Sequence, residues 1–288
     1  MNIKDEFQNK LKDLSVKSKH LLVKPNWVSN VNGEFTESEI LDWVLEVFPD
    51  QKKYIVESYT PWRGLSYLGE HKDDELVVNL DGGKKYWEFY KRQDKEFLKN
   101  TGISQVLKKY SAKYINVTNE YWANKCVDSN IISQEVNIDF EWKELTSCIP
   151  EELFNVKDDS TFISLAKIKL EPSIPQIKVS MSIKNLFGLI PHPSRWNPFH
   201  ENNHKKIPQA ICDIYNIYDS LFTQSIWINE GIFSLVQNYC ENDQFLETNR
   251  NLFFIDDNGY ETDSATCTSF GIDPTAVPYL ELIKNSSK

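Results

Sequence analysis

The chain reads as an α/β protein: a mixed, mainly parallel sheet with helices on both faces and one irregular insertion. Three observations predict it. The run HLLVK, His20 to Lys24, is a short apolar strand, and KKYIVES, Lys52 to Ser58, is a second. Between them, Thr36-Glu37-Ser38-Glu39 has capping-box spacing and precedes Ile40, Leu41, Val44, Val47 and Phe48 on one helical face. Strand, capped helix and strand in about forty residues make a parallel βαβ unit with a right-handed crossover. The third observation is length, since 288 residues suit one large α/β domain spanning 1–288.

The remaining elements follow in order. Phe7, Leu11 and Leu14 have helical spacing ahead of the first strand. Lys84 to Lys99 and Ile103 to Lys109 read as helices and Tyr114 to Val117 as a strand, while Trp122 to Pro150 has no clear period. The aromatics of this region suggest a covering insertion at about 84–150. Phe162 to Ala166 is a strand, and a helix from about Pro208 carries Ile211, Ile214, Tyr218, Leu221 and Phe222 on one face. Ser225 to Ile232 and Asn251 to Asp257 read as further strands, Asp263 to Phe270 as a short helix, and Pro278 as the start of the last helix.

Composition excludes several classes. A net charge of −10 and a pI near 5.1 oppose a nucleic-acid surface, because duplex binding needs a basic footprint. The charged start MNIKDEFQNK lacks the apolar core of a signal peptide, and no segment has the apolar length of a membrane span, so a cytoplasmic protein is expected. Cys126, Cys148, Cys212, Cys240 and Cys267 are scattered and never in CxxC spacing, so no cysteine-ligated iron–sulfur cluster is expected. Asp81-Gly82-Gly83 is a turn signal without the ending of a phosphate loop.

In an acidic chain, lysines gathered at strand ends need a reason. Lys24, Lys167, Lys169 and Lys184 stand at or just beyond apolar runs, where α/β proteins place ligand groups, and Asn26 and Asn185 add amides beside two of them. Such ammonium groups suit a carboxylate or phosphate, although some could simply solvate strand ends and either asparagine could cap a helix. Glu57 and Glu230 close strands and Asp263 follows the last strand. These three could ligate Mg²⁺ or Mn²⁺, or pair with the lysines as salt bridges. In PHPSRWNPFHENNH, His200 and His204 have i,i+4 spacing. One histidine of this loop is a candidate general acid/base, with surface loop residues as the alternative.

Taken in order, LVKPNWVS, YIVES, SLAKIK, SIKNLFGLIP, WINEGI and TDSATCTSFGIDPTAVPYL resemble the successive motifs of the family catalogued as domain of unknown function 362. The resemblance runs from about Leu22 to Leu282, and KNLFG is its most specific piece. This chain departs from the family pattern at Glu171, where a histidine is frequent, and at Glu230, where an aspartate is usual. It also lacks the glycine-rich stretch after Gly231 and the ferredoxin cysteines found in some members. The resemblance implies the fold and the location of the site, and no settled reaction.

The resulting expectation is an enzyme acting on a small carboxylated or phosphorylated metabolite. Lys24, Asn26, Lys167, Lys169, Lys184 and Asn185 would bind it, and Glu57, Glu230, His200 and His204 would be catalytic. The alternatives are a non-catalytic binding or redox-partner protein, and a tailoring enzyme for a peptide or carrier-bound substrate docking on Trp87, Trp122 and Trp142. Exposed tryptophans would favour docking, and buried ones a lid or core.

Overall fold

The computed structural model describes residues 2–60, 63, 80–192, 199–200, 204–239, 245–248 and 250–286. Its strands are β1 (His20–Lys24), β2 (Lys52–Glu57), β3 (Lys113–Asn116), β4 (Ser160–Lys167), β5 (Lys169–Glu171), β6 (Lys178–Ser180), β7 (Gln224–Gly231), β8 (Ser234–Gln237), β9 (Phe245–Thr248) and β10 (Leu252–Asp256). The main sheet has the order β10-β7-β4-β1-β2-β3. Every neighbouring pair is parallel except β10 with β7. The β1–β2 pairing joins Leu22 to Tyr54, as the βαβ reading requires.

Parallel strands covered on both faces read as continuous apolar runs, and all eight residues of β4 are buried. Strand alternation sorts the core into two layers. Leu21, Val23, Ile55, Ile163, Leu165, Ile226 and Ile228 pack with the helices α1 (Ile3–Asp13), α2 (Ser38–Val47), α3 (Trp87–Asn100) and α4 (Ile103–Lys109). Leu22, Tyr54, Phe162 and Trp227 pack on the other side with α5 (Ile207–Leu221), α6 (Gly259–Ser269), α7 (Pro278–Ser286) and the segment Ile183–Ile190. Helices therefore cover both faces.

Three local expectations change. The helix after Thr36 begins at Ser38 with Glu37 as its N-cap, and no side chain caps it. Thr36 is fully buried, and its hydroxyl instead accepts from Asn26 N at 2.9 Å and donates to Leu165 O at 3.2 Å. The stretch at about 84–150 is only partly a cover, because α3 and α4 form the crossover that delivers β3 to the sheet edge. The aperiodic part holds a helix, Ser129–Val136, capped by Asp128. Finally, β6-β5-β8-β9 form a second, four-stranded sheet, with strands of three or four residues, too short to show a period.

That small sheet continues β4 and β7 beyond the carboxyl edge of the main one. Ile168 alone separates β4 from β5, its N–H donating to Glu230 O at 2.9 Å and its carbonyl accepting from Val236 N at 3.1 Å. Lys169 is thereby carried past the strand ends and buried there. Among the described residues no helix is long and apolar enough to cross a membrane.

Candidate functional site

Strand order reverses between β1 and β4, and the crevice outside the carboxyl ends at such a switch point is where α/β sheets bind ligands. The quoted motifs meet there. Lys24 Nζ donates to Glu57 Oε1 at 2.7 Å, to Pro25 O at 2.7 Å and to Asn185 Oδ1 at 3.1 Å. Asn26 Nδ2 donates to the same Asn185 oxygen at 3.1 Å, and Lys169 Nζ donates to Asn26 Oδ1 at 2.5 Å. Asn185 Nδ2 turns back to Lys24 O at 3.0 Å and Ser164 Oγ at 3.1 Å. One chain of hydrogen bonds thus runs Lys169–Asn26–Asn185–Lys24–Glu57. KPN, AKIK, KNLFG and the acid that closes the second strand are parts of a single network.

Burial decides the charges within it. Glu57 is buried, which by itself would raise its carboxyl. Lys24, Arg63 and the hydrogen bonds from Lys24 and Ser58 N outweigh this and hold it below the ordinary carboxylate value. Trp27 N also donates to it, at 3.0 Å. The same burial acts on Lys169, and among the described residues no carboxylate forms a salt bridge that opposes it. Burial first, then the charge of Lys184, bring the amine down to about 7, against the opposing pull of Glu34 and Glu171. Lys184 stands close because its Nζ reaches Ser180 Oγ at 3.2 Å, and Ser180 is the strand partner of Lys169.

Lys167 belongs to a separate group. It extends on the α2 side of the sheet, where its Nζ contacts Glu37 Oε2 at 2.6 Å and Glu230 Oε1 at 2.7 Å. Burial would lower its ammonium, but Glu230 and then Glu37 hold it above the ordinary value. Glu230 is pushed upward, by burial first and by Glu37 as well, despite Lys167. Lys167 is therefore consumed by two carboxylates and does not join Lys184, which comes from the opposite layer. Glu37 was read from the sequence only as part of a cap, and no local pattern marks it as the partner of Lys167. It borders a cavity of ≈ 290 Å³ also lined by Phe35, Phe233, Ser234 and Leu246. Another cavity, ≈ 280 Å³, lies at the amino end of β7 beside Asp219 and Asp257, at the far end of the sheet from these groups.

The carboxylates proposed for a metal do not converge. Glu57 and Glu230 are committed to lysines, while Asp263, on α6, accepts from Ser182 N at 3.1 Å, Ser182 Oγ at 2.6 Å, Ile183 N at 3.3 Å, Asn229 Nδ2 at 2.9 Å and Tyr279 OH at 3.2 Å. Its work is to fix the start of the short helix Ser182–Asn185, and so the position of Asn185. Among the described residues no three His, Cys, Asp or Glu side chains form a group able to hold a metal ion.

His200 and His204 bring their Nδ1 atoms to 3.2 Å, and His200 packs on Phe187 of KNLFG with ring centroids 5.9 Å apart. His192 is buried, and its Nε2 is 2.8 Å from Tyr90 OH in an aromatic cluster with Tyr59 and Trp122. Trp122 is buried, and Trp87 and Trp142 are half-buried.

The family model described as a domain of unknown function, DUF362, matches residues 21–268. No curated protein and no solved structure matches the chain.

Proposed function

Since the chain belongs to the DUF362 family, whose description assigns no activity, we propose that it is a cytoplasmic enzyme acting on a small carboxylated or phosphorylated metabolite. The metabolite binds where Lys169, Lys184, Asn26 and Asn185 approach one another above the switch point. The observation that supports this reading is the largely buried network Lys169–Asn26–Asn185–Lys24–Glu57. It assembles four separated motifs at the place where α/β sheets hold ligands.

Within this reading the residues divide their work. Lys184, half-buried, supplies charge to the anion, and Asn26, also half-buried, orients it. Lys24 and Glu57 neutralise each other and hold Asn185 in place, while Lys167, Glu37 and Glu230 brace the neighbouring strand ends. The test is Lys184→Met, titrated calorimetrically with lactate and with inorganic phosphate. Affinity is expected to fall by about 1.5–3 kcal/mol, roughly 10- to 150-fold, with the melting temperature of the free protein unchanged. A lowered melting temperature with unchanged affinity would assign Lys184 to the scaffold and refute the reading.

A further inference from the structure

Lys24, Lys167 and Lys169 are equally buried at one edge of the sheet, each about 1% exposed, and they differ in their counter-charges. Lys24 has Glu57 at 2.7 Å, and Lys167 has Glu37 at 2.6 Å and Glu230 at 2.7 Å. Among the described residues no carboxylate forms a salt bridge with Lys169. Its contacts are an amide oxygen, Asn26 Oδ1 at 2.5 Å, and the ring of Tyr239, 4.8 Å from its Nζ. An amide accepts an N–H without supplying a full negative charge, so the desolvated ammonium is left to shed its proton. Lys184 and, more weakly, Lys167 press in the same direction, while Glu34 and Glu171 act against them.

Resting on the anion site proposed above, we propose that Lys169 is an amine nucleophile that captures the carbonyl carbon of a small oxo acid as a Schiff base, while Lys184 holds the acid's carboxylate. The Nζ lone pair forms the C–N bond as the C=O π electrons move to oxygen, and a proton passes from nitrogen to that oxygen. The carbinolamine hydroxyl then takes up a proton from solvent and leaves as water while the nitrogen lone pair forms the C=N bond, so the nitrogen keeps its remaining proton. Protonated at nitrogen, this imine directs its N–H to Asn26 Oδ1, the atom that already accepts from the amine. The imine is an electron sink for breaking a bond at the neighbouring carbon. Asn26 and Tyr239, which contact the buried amine, are themselves half-buried, as is Lys184.

With the amine brought down to about 7, roughly half of it is neutral at pH 7, about a thousandfold more than for an ordinary lysine. The full-length protein is incubated with pyruvate and cyanoborohydride at pH 7, digested and mapped by mass spectrometry. One reduced pyruvate is expected on Lys169, suppressed by excess lactate and absent from Lys169→Arg. Modification spread over surface lysines, or none at Lys169, overturns the proposal. Trace acetylation of the wild-type protein across pH guards against a variant that fails to fold. Half-maximal Lys169 labelling near pH 7 supports the amine role, and a midpoint near 10 overturns it. Lactate carries the carboxylate without the carbonyl. Lactate binding that persists with Lys169 unmodified therefore overturns the Schiff base alone, and absent lactate binding overturns the anion site with it.

Discussion

Replacing Lys169 by methionine removes a buried titrating amine while keeping an unbranched side chain, and its effect on stability should depend on pH. In the unfolded chain the amine keeps its ordinary value and remains protonated past pH 9. In the folded protein the proton leaves near pH 7. Between these values the unfolded state binds more protons, so wild-type stability rises with pH across that window. Integrating the difference in bound protons from pH 6 to pH 9 gives about 3 kcal/mol. The group is fully buried, so solvent screening takes little from this figure. Methionine does not titrate, and the stability of Lys169→Met minus that of wild type should therefore fall by about 3 kcal/mol between pH 6 and pH 9. The lost hydrogen bond to Asn26 shifts the whole curve by about 1 kcal/mol without tilting it. Urea unfolding of both proteins at pH 6, 7, 8 and 9 measures the difference at each point. A flat difference, or one that grows with pH, would show that Lys169 is an ordinary cation in the fold.

Other substitutions test the remaining contacts. Lys167→Met leaves Glu230 fully buried without its ammonium and should lose about 3–5 kcal/mol in urea unfolding; adding Glu230→Gln should recover part of that loss. Asn185→Ala removes the amide that accepts from Lys24 and Asn26 and donates to Lys24 O and Ser164, and should cost about 2–3 kcal/mol, read as a lower unfolding midpoint. Gly259→Ala would place a Cβ 2.9 Å from Trp227 Cδ2 and 3.0 Å from Tyr215 Cε2. Overpacking by about 1–3 kcal/mol should exceed the helix preference of alanine, and a stabilised variant would refute the close approach.

Much of the fold was legible because it is written locally. HLLVK and KKYIVES predict β1 and β2 to within a residue, since a strand covered on both faces must be apolar throughout. The amphipathic run after Thr36 predicts α2 for the corresponding reason on a helix. Thr36 itself was misread as a cap, because its hydroxyl satisfies Asn26 and Leu165 from distant parts of the chain. The small sheet was missed because strands of three or four residues owe their existence to neighbours. Its consequence is large, since β5 is the element that buries Lys169.

For the site, the sequence alone determined the residue types and their approximate place: lysines and asparagines just past apolar runs, hence at the carboxyl edge of a parallel sheet. The tertiary structure decided which charge each lysine meets. Strand register and the two-sided cover send Lys167 toward Glu37 and Glu230 and Lys24 toward Glu57, and leave Lys169 facing an amide. Glu37 and Lys167 are 130 positions apart, so no local pattern could pair them. An ammonium beside a carboxylate and an ammonium beside an amide are the same residue in the sequence. Burial separates them, because removing water makes the nearest charge decide the protonation state.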